Sequence, residues 1–371
     1  MKIKVKKEEF LKSLNIVNIA LNKGNNIYEI LECIYIDATK DKIYLISQDG
    51  KEITIKTEAE GEIIEKGSAT IKGSLLIDFI KYMPELSFID IEVNKDKECV
   101  ITCGESIRKN FQAKDETTYP NVISVSKENK IVLNEMKLKK ILDKTTFSYD
   151  KTSESGNIVL KGIYFNVNNE NFTAKSMDAY IISIINEKIN NNDKKYETIV
   201  PGSALEELNR LIKGEVNRDV KVYFNEKNIS FEFNKTIFTS IIIPSKYIDI
   251  DRIFNIEYST KVVINKDTFN ESLVRSIPFI SNSDNKPVIL DIKDDSLVIS
   301  LSTLSGDSYE KIDIKKTGKD LTIGFNANNL IKILRPIEDE NINLYFSGPK
   351  NPIVIKDKQE TYTYLLIPVK M

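Results

Sequence analysis

Two spacings in this 371-residue chain bring chemically capable side chains close together. Cys99 and Cys103 lie in KECVITCG, an alternating run that puts both thiols on one face of a strand. Such a pair could begin a zinc site, but tetrahedral zinc takes four ligands and only Cys33 remains. Asp249 and Asp251, two apart in YIDIDRIF, could act as acid and base in a carboxylate-only hydrolase. They fall in a connecting segment, however, where solvated carboxylates are expected. The chain has no His, so the commonest general base, metal ligand and activator of Ser or Cys is missing. The reading is therefore non-catalytic: no enzyme, no metal, no cofactor. The Cys are expected as buried, reduced thiols, which suits a cytoplasmic protein.

The elements that would hold such residues follow from composition and pattern. Charged residues make up 29% and apolar residues 41%, the balance of a globular chain, and the length suits two or three domains. MKIKVKKEEF alternates charged and apolar residues and has no apolar core of a signal peptide. No apolar run is long enough to span a membrane, so no membrane partner is expected.

The chain repeats itself. A strand, a polar turn and an amphipathic helix recur as IKVKKEEFLKSLNIVNIAL from Ile3, IVLNEMKLKKILDKTTFS from Ile131 and VVINKDTFNESLVRSIPFIS from Val262. A second marker recurs as ATIKGSLLIDFIKYM from Ala69, TIVPGSALEELNRLI from Thr198 and LTIGFNANNLIKIL from Leu321. Both recur at about 125 residues, which argues for three homologous domains, 1–127, 128–254 and 255–371. Alternating runs broken by Asn, Asp and Lys turns fill the intervals, as antiparallel hairpins would. Each domain reads as two short helices on antiparallel sheet, an α+β fold. Phe10, Leu14, Val17 and Leu21, and in the second domain Leu138, Ile141 and Leu142, form apolar stripes read as core.

Charge is uneven. The six helical windows sum to a net positive charge although the whole chain carries −2. For any one helix this is an ordinary solvated face; taken together the sums point weakly to a polyanion, without sequence reading.

A threefold repeat of this unit resembles the bacterial DNA polymerase III beta subunit family, the DNA sliding clamps. The resemblance covers essentially the whole chain. It is carried by FQAKDETTYPNV (111–122), ETIVPGSALEELNRLI (197–212), FTSIIIPSKYIDIDRIF (238–254), IGFNANNLIKIL (323–334) and the terminal YLLIPVKM (364–371), in order and at the family's spacing. It implies a head-to-tail homodimer closing as a ring around duplex DNA, with helices lining the hole and sheets outside. Helices that cross the phosphate backbone contact every sequence alike, so such a ring can slide. Implied partners are the polymerase alpha subunit, the clamp loader and other proteins with a clamp-binding motif.

The resemblance also implies sites. Lys81 and Arg210 match basic DNA-contacting positions, and Lys23 falls beside another. Lys12, Lys137, Lys140, Lys144, Lys213, Arg275, Lys332 and Arg335 add lumen charge on the helices. Basic residues expected near Ser74 and at Gly202–Ser203 are missing, and an aromatic pair of some relatives is Ile158–Val159. The client-peptide cleft maps to Leu160, Asp178, Tyr180, Ile182, Ile248, Arg252, Ile253, Leu365, Ile367, Pro368, Val369, Lys370 and Met371. There the family's Arg is Ile181 and its usual Pro is Ile248, which implies an altered client preference. Phe111, Ala113, Phe279 and Ile280 match the dimer seam. The alternative, kept open by the missing basic residues and by the altered run SMDAYII from Ser176, is a diverged clamp-like paralogue serving as an interaction scaffold.

Overall fold

The computed structural model describes residues 1–22, 28–152, 156–189, 195–254, 256–280 and 286–370. Its α-helices among these residues are α1 (Lys7–Val17), α2 (Gly73–Lys81), α3 (Glu135–Thr145), α4 (Gly202–Leu211), α5 (Lys266–Ser276) and α6 (Ala327–Leu334). Each follows a strand directly or after a single residue. In Lys2–Lys6, Ile3 and Val5 point inward; the period then changes and α1 buries Phe10, Leu14 and Val17 along one face. Leu138, Ile141 and Leu142 of α3 are likewise fully buried. Asn265 and Asn326 cap α5 and α6, their side-chain oxygens accepting the amides of Thr268 (3.0 Å) and Asn329 (3.2 Å).

By its internal contacts the chain forms two compact units, residues 1–135 with 210–242 and residues 136–209 with 243–371. The first unit holds two antiparallel sheets. One runs Gly61–Glu65, Lys2–Lys6, Phe88–Val93, Glu98–Cys103, Ile107–Gln112. The other, of eight strands, runs Lys130–Asn134, Asp219–Phe224, Asn228–Phe233, Thr236–Ile241, Ile53–Ala59, Ile43–Gln48, Cys33–Ala38, Gly67–Lys72. The second unit holds a nine-stranded sheet: Lys195–Pro201, Gly162–Asn168, Asn171–Met177, Ile181–Lys188, Tyr362–Leu366, Ile353–Lys356, Asn341–Phe346, Thr260–Asn265, Lys315–Gly318. Its smaller sheet runs Gly306–Asp313, Ser296–Thr303, Val288–Lys293, Leu321–Phe325.

The large sheets run from one sequence repeat into the next. Thr236–Ile241 pairs with Ile53–Ala59, joining the second repeat to the first, and Ile181–Lys188 pairs with Tyr362–Leu366, joining the second to the third. Strand edges that would otherwise be open are thereby closed. It is also why the compact units divide the second repeat rather than following the sequence period. The two junctions are built alike. Tyr119 near the end of the first repeat stacks on Tyr35 (centroids 5.2 Å apart), and Tyr247 near the end of the second stacks on Tyr164 (4.9 Å).

Candidate functional site

In the second unit, the strands at the junction create an apolar floor. Ile182 stands opposite Leu365, and Leu365 opposite Val354, so three aliphatic side chains form one row across three strands. With Ile250 they make a buried cluster against which Met177, Ile184, Tyr247, Phe254, Tyr258 and Tyr345 pack. Around this floor, Tyr180, Ile248, Ile253 and Ile367 remain well exposed although large and apolar. Exposed aliphatic residues beside a buried aliphatic floor are what a short peptide's anchors need.

Backbone hydrogen bonds hold the rim. The Asp178 carboxylate accepts the amides of Tyr180 and Ile181, both at 2.7 Å, fixing the turn before the strand Ile181–Lys188. Burial pushes the Asp178 carboxyl above its ordinary value, opposed by those two amides and by the nearby Lys332 ammonium. The C-terminal segment is tied down as the Ile367 amide donates to the Tyr180 carbonyl (3.0 Å) and the Val369 amide to that of Gly324 (2.8 Å). These contacts bound a concavity of about 810 Å³ lined by Asp178, Tyr180, Ile367, Pro368 and Val369. Tyr149, Asp150, Asn326, Asn329 and Lys332 also stand in its wall.

Other expected cleft residues are dispersed around it. Leu160 is buried, and its carbonyl accepts the amide of Asp150, which does line the concavity. Arg252 is exposed and pairs with Asp249 (3.4 Å), while Lys370 is exposed at the chain's end. Met371 and Lys23 lie outside the described residues. Sequence reading missed Tyr149, Asp150, Asn326 and Asn329. The signal for the last two was FNANN, whose first Asn reads as a helix cap, as it is; the cap and the wall of the concavity coincide.

The cations expected to face DNA divide into groups. Lys81, Arg210, Lys213 and Arg335 are exposed, Lys81 with its ammonium 5.5 Å from the Tyr82 ring. Lys12 pairs with Glu9 (2.8 Å), Lys137 with Glu187 (3.8 Å) and Lys140 with Glu338 (2.8 Å). Arg275 is held by both carboxylate oxygens of Glu310, at 2.9 and 2.7 Å. Two residues depart from expectation. Lys144 is buried with its ammonium 4.7 Å from the Tyr362 ring, because α3 turns that position toward the sheet. Burial lowers its pKa, as a cation taken out of water requires. Lys332 is exposed but lines the concavity beside the C-terminal segment rather than an open helix face.

For the seam, the strand Ile107–Gln112 ends the five-stranded sheet and Gly306–Asp313 ends the four-stranded one, each with one side unpaired. Phe111 is half-buried against Phe79, ring centroids 5.7 Å apart. Phe279, half-buried, lies beside Gly306, and Ile280 follows it half-buried. Ala113 departs from expectation: its side chain is buried within its own chain and its amide donates to the Lys97 carbonyl (2.8 Å).

The spacings that could have carried chemistry are occupied otherwise. Asp251 pairs with Lys175 (2.6 Å) and Asp249 with Arg252, so the carboxylates serve different cations. All three thiols are buried and free; burial raises Cys33 to about 11 and Cys99 to about 12, which keeps those two protonated. Among the described residues, no helix is long and apolar enough to cross a membrane.

Comparison with known proteins follows the same three repeats. The N-terminal, central and C-terminal domain profiles of the DNA polymerase III beta subunit match residues 1–123, 132–249 and 251–370. A beta sliding clamp of Staphylococcus epidermidis is 26% identical over 382 residues, covering 100% of this chain and 99% of its own. The crystal structure of a putative DNA polymerase III beta subunit from Eubacterium rectale superposes with a TM-score of 0.95 at 32% identity, covering 100% of this chain and 99% of that one. The beta subunit from the DNA polymerase of Streptococcus pyogenes gives 0.93 at 25% identity, with both chains fully covered. Matches through all three repeats favour a clamp over a diverged scaffold. The chain thus belongs to the DNA polymerase III beta subunit family, the beta sliding clamps, which are non-catalytic processivity subunits of DNA replication.

Proposed function

We propose that this chain works as a head-to-tail homodimer that closes around duplex DNA in the cytoplasm and tethers the polymerase alpha subunit. The clamp loader and other proteins with a clamp-binding motif would share the same cleft. The observation that carries the reading is the aliphatic row Ile182–Leu365–Val354 with Tyr180, Ile248, Ile253 and Ile367 exposed around it. A client's apolar anchors would seat there, Asp178 holding the rim turn and Lys332 meeting acidic client groups.

Two sheet edges support closure. Ile107–Gln112 carries Arg108 and Lys109, whereas Gly306–Asp313 carries Asp307, Glu310 and Asp313 against one cation, Lys311, with Glu310 held by Arg275 of its own chain. Adding one protomer's basic edge to its partner's acidic edge would continue a sheet across the seam, with Phe111, Phe279 and Ile280 covering one another. Lys81, Arg210, Lys213 and Arg335 would supply sequence-independent phosphate contacts. Lys12, Lys137, Lys140 and Arg275 would contribute once freed from their present acidic partners; Lys144 and Ala113 are set aside.

The test is loading onto nicked circular DNA by a clamp loader. Protein that stays on circles and runs off when they are linearised would support a closed ring. Equal loss from circles and linear DNA would overturn it.

A further inference from the structure

The first inter-repeat junction contains a second concavity that the client cleft does not account for. Across its strands, Thr54 stands opposite Thr239, Thr239 opposite Ser230, and Ser230 opposite Tyr223. The second junction has the same row with different chemistry: Ile182, Leu365, Val354 and Tyr345. The covering segments also correspond, Tyr119, Val122 and Val125 in the first and Tyr247, Ile250 and Ile253 in the second. Three aliphatic residues of one row are therefore two Thr and a Ser in the other. The smaller side chains leave a concavity of about 310 Å³ between the segment 122–127 and the sheet. That volume holds an aliphatic or aromatic side chain.

Two of its hydroxyls are already engaged, Ser230 and Thr239 sharing a hydrogen bond of 2.7 Å. Val122, Ile123, Val125 and Ile237 supply an apolar part of the wall. Charge identifies the occupant. Lys127 and Lys221 share one carboxylate, Glu232, at 2.6 and 3.4 Å. Lys56, in the wall, forms no ion pair among the described residues and stacks on Tyr44, 4.0 Å from the ring centroid. In the wall itself two ammonium groups, Lys56 and Lys127, stand against the one carboxylate of Glu232, which Lys221 also neutralises from outside the lining, so positive charge is in excess around the hole.

We propose that this groove is a second docking site, which takes a short acidic peptide segment with one aliphatic or aromatic anchor. The anchor enters between Val122, Val125 and the Thr54–Thr239–Ser230 row, and the peptide's carboxylates meet Lys56 and Lys127. The site shares no lining residue with the client cleft and stands whether or not that cleft is used.

The test uses the full chain and a synthetic pentapeptide, Asp-Glu-Leu-X-Asp, with X a photoreactive benzoylphenylalanine. Cross-links are mapped by mass spectrometry. Cross-linking to residues 122–127 is expected, weakened at least tenfold by the Asn-Gln-Leu-X-Asn analogue. Thr239→Leu with Ser230→Val rebuilds the aliphatic row and should abolish these cross-links while leaving any at 367–369 unchanged. Lys56→Glu, a milder change, should weaken them without filling the hole. Cross-links confined to 367–369, or cross-links at 122–127 indifferent to both variants and to peptide charge, would overturn the proposal. So would self-association of the chain that only the filled variant loses, since that would assign the groove to a second copy.

Discussion

Ile182 and Leu365 face each other in antiparallel register, one from the second repeat and one from the third, and both are almost wholly buried. The floor of the cleft is thus a joint product of two repeats, and neither has it alone. Binding energy should therefore be read at the exposed rim, where a substitution does not disturb the sheet. Ile367→Ala is expected to weaken binding of a clamp-binding peptide about tenfold, ~1.4 kcal/mol, with the melting temperature unchanged. Fluorescence anisotropy beside a circular dichroism melt checks both. An unchanged peptide affinity would remove Ile367 from the site.

Lys144 gives a prediction about pH. Its folded-state pKa lies below the ordinary 10.5, so between the two values the unfolded chain holds more protons. Stability from this group is complete above 10.5 and is lost as pH falls through the folded value. Lys144→Met is expected to flatten that rise, to hold or raise stability at neutral pH, and to leave DNA retention intact. Urea titrations across the alkaline range measure the first two effects. Loss of DNA retention would restore Lys144 to the lumen.

Lys213 and Arg335 are exposed and form no ion pair among the described residues. Replacing both with Ala should reduce the slope of log affinity against log salt on linear duplex by about 1.8, roughly 0.9 per phosphate contact. Retention on circles should survive, because a closed ring is held by topology. An unchanged slope would place both residues away from the phosphates.

Reversing charge at the basic edge tests the seam. Arg108→Glu together with Lys109→Glu is expected to shift sedimentation from a dimer toward the 42.4 kDa monomer, most strongly at low salt. A dimer of unchanged affinity would mean that other contacts hold the two copies.

Periodicity revealed the α+β repeat because each repeat writes the same alternation between strand and helix. It could not reveal that sheets cross from repeat to repeat, since strand order is a long-range choice and alternation is local. The apolar rim was legible through the resemblance, in YIDIDRIF and YLLIPVKM. Tyr149 and Asn326 were not, because an Asn that caps a helix and an Asn that lines a wall look alike in sequence. Lys144 misled for a related reason: a Lys on an amphipathic helix reads as solvated, yet its aliphatic stem can lie over a ring with the ammonium drawn in.

The continuous sheets have a mechanical consequence. A junction made of side-chain contacts can hinge, but one crossed by a β-ladder resists bending until several backbone hydrogen bonds give way together. Thr236–Ser240 against Ile53–Thr57, and Ile181–Ile185 against Tyr362–Leu366, are such crossings. Each acts as a stiff weld. Prying the first repeat from the second, or the second from the third, would have to tear such a weld rather than slide one side chain past another.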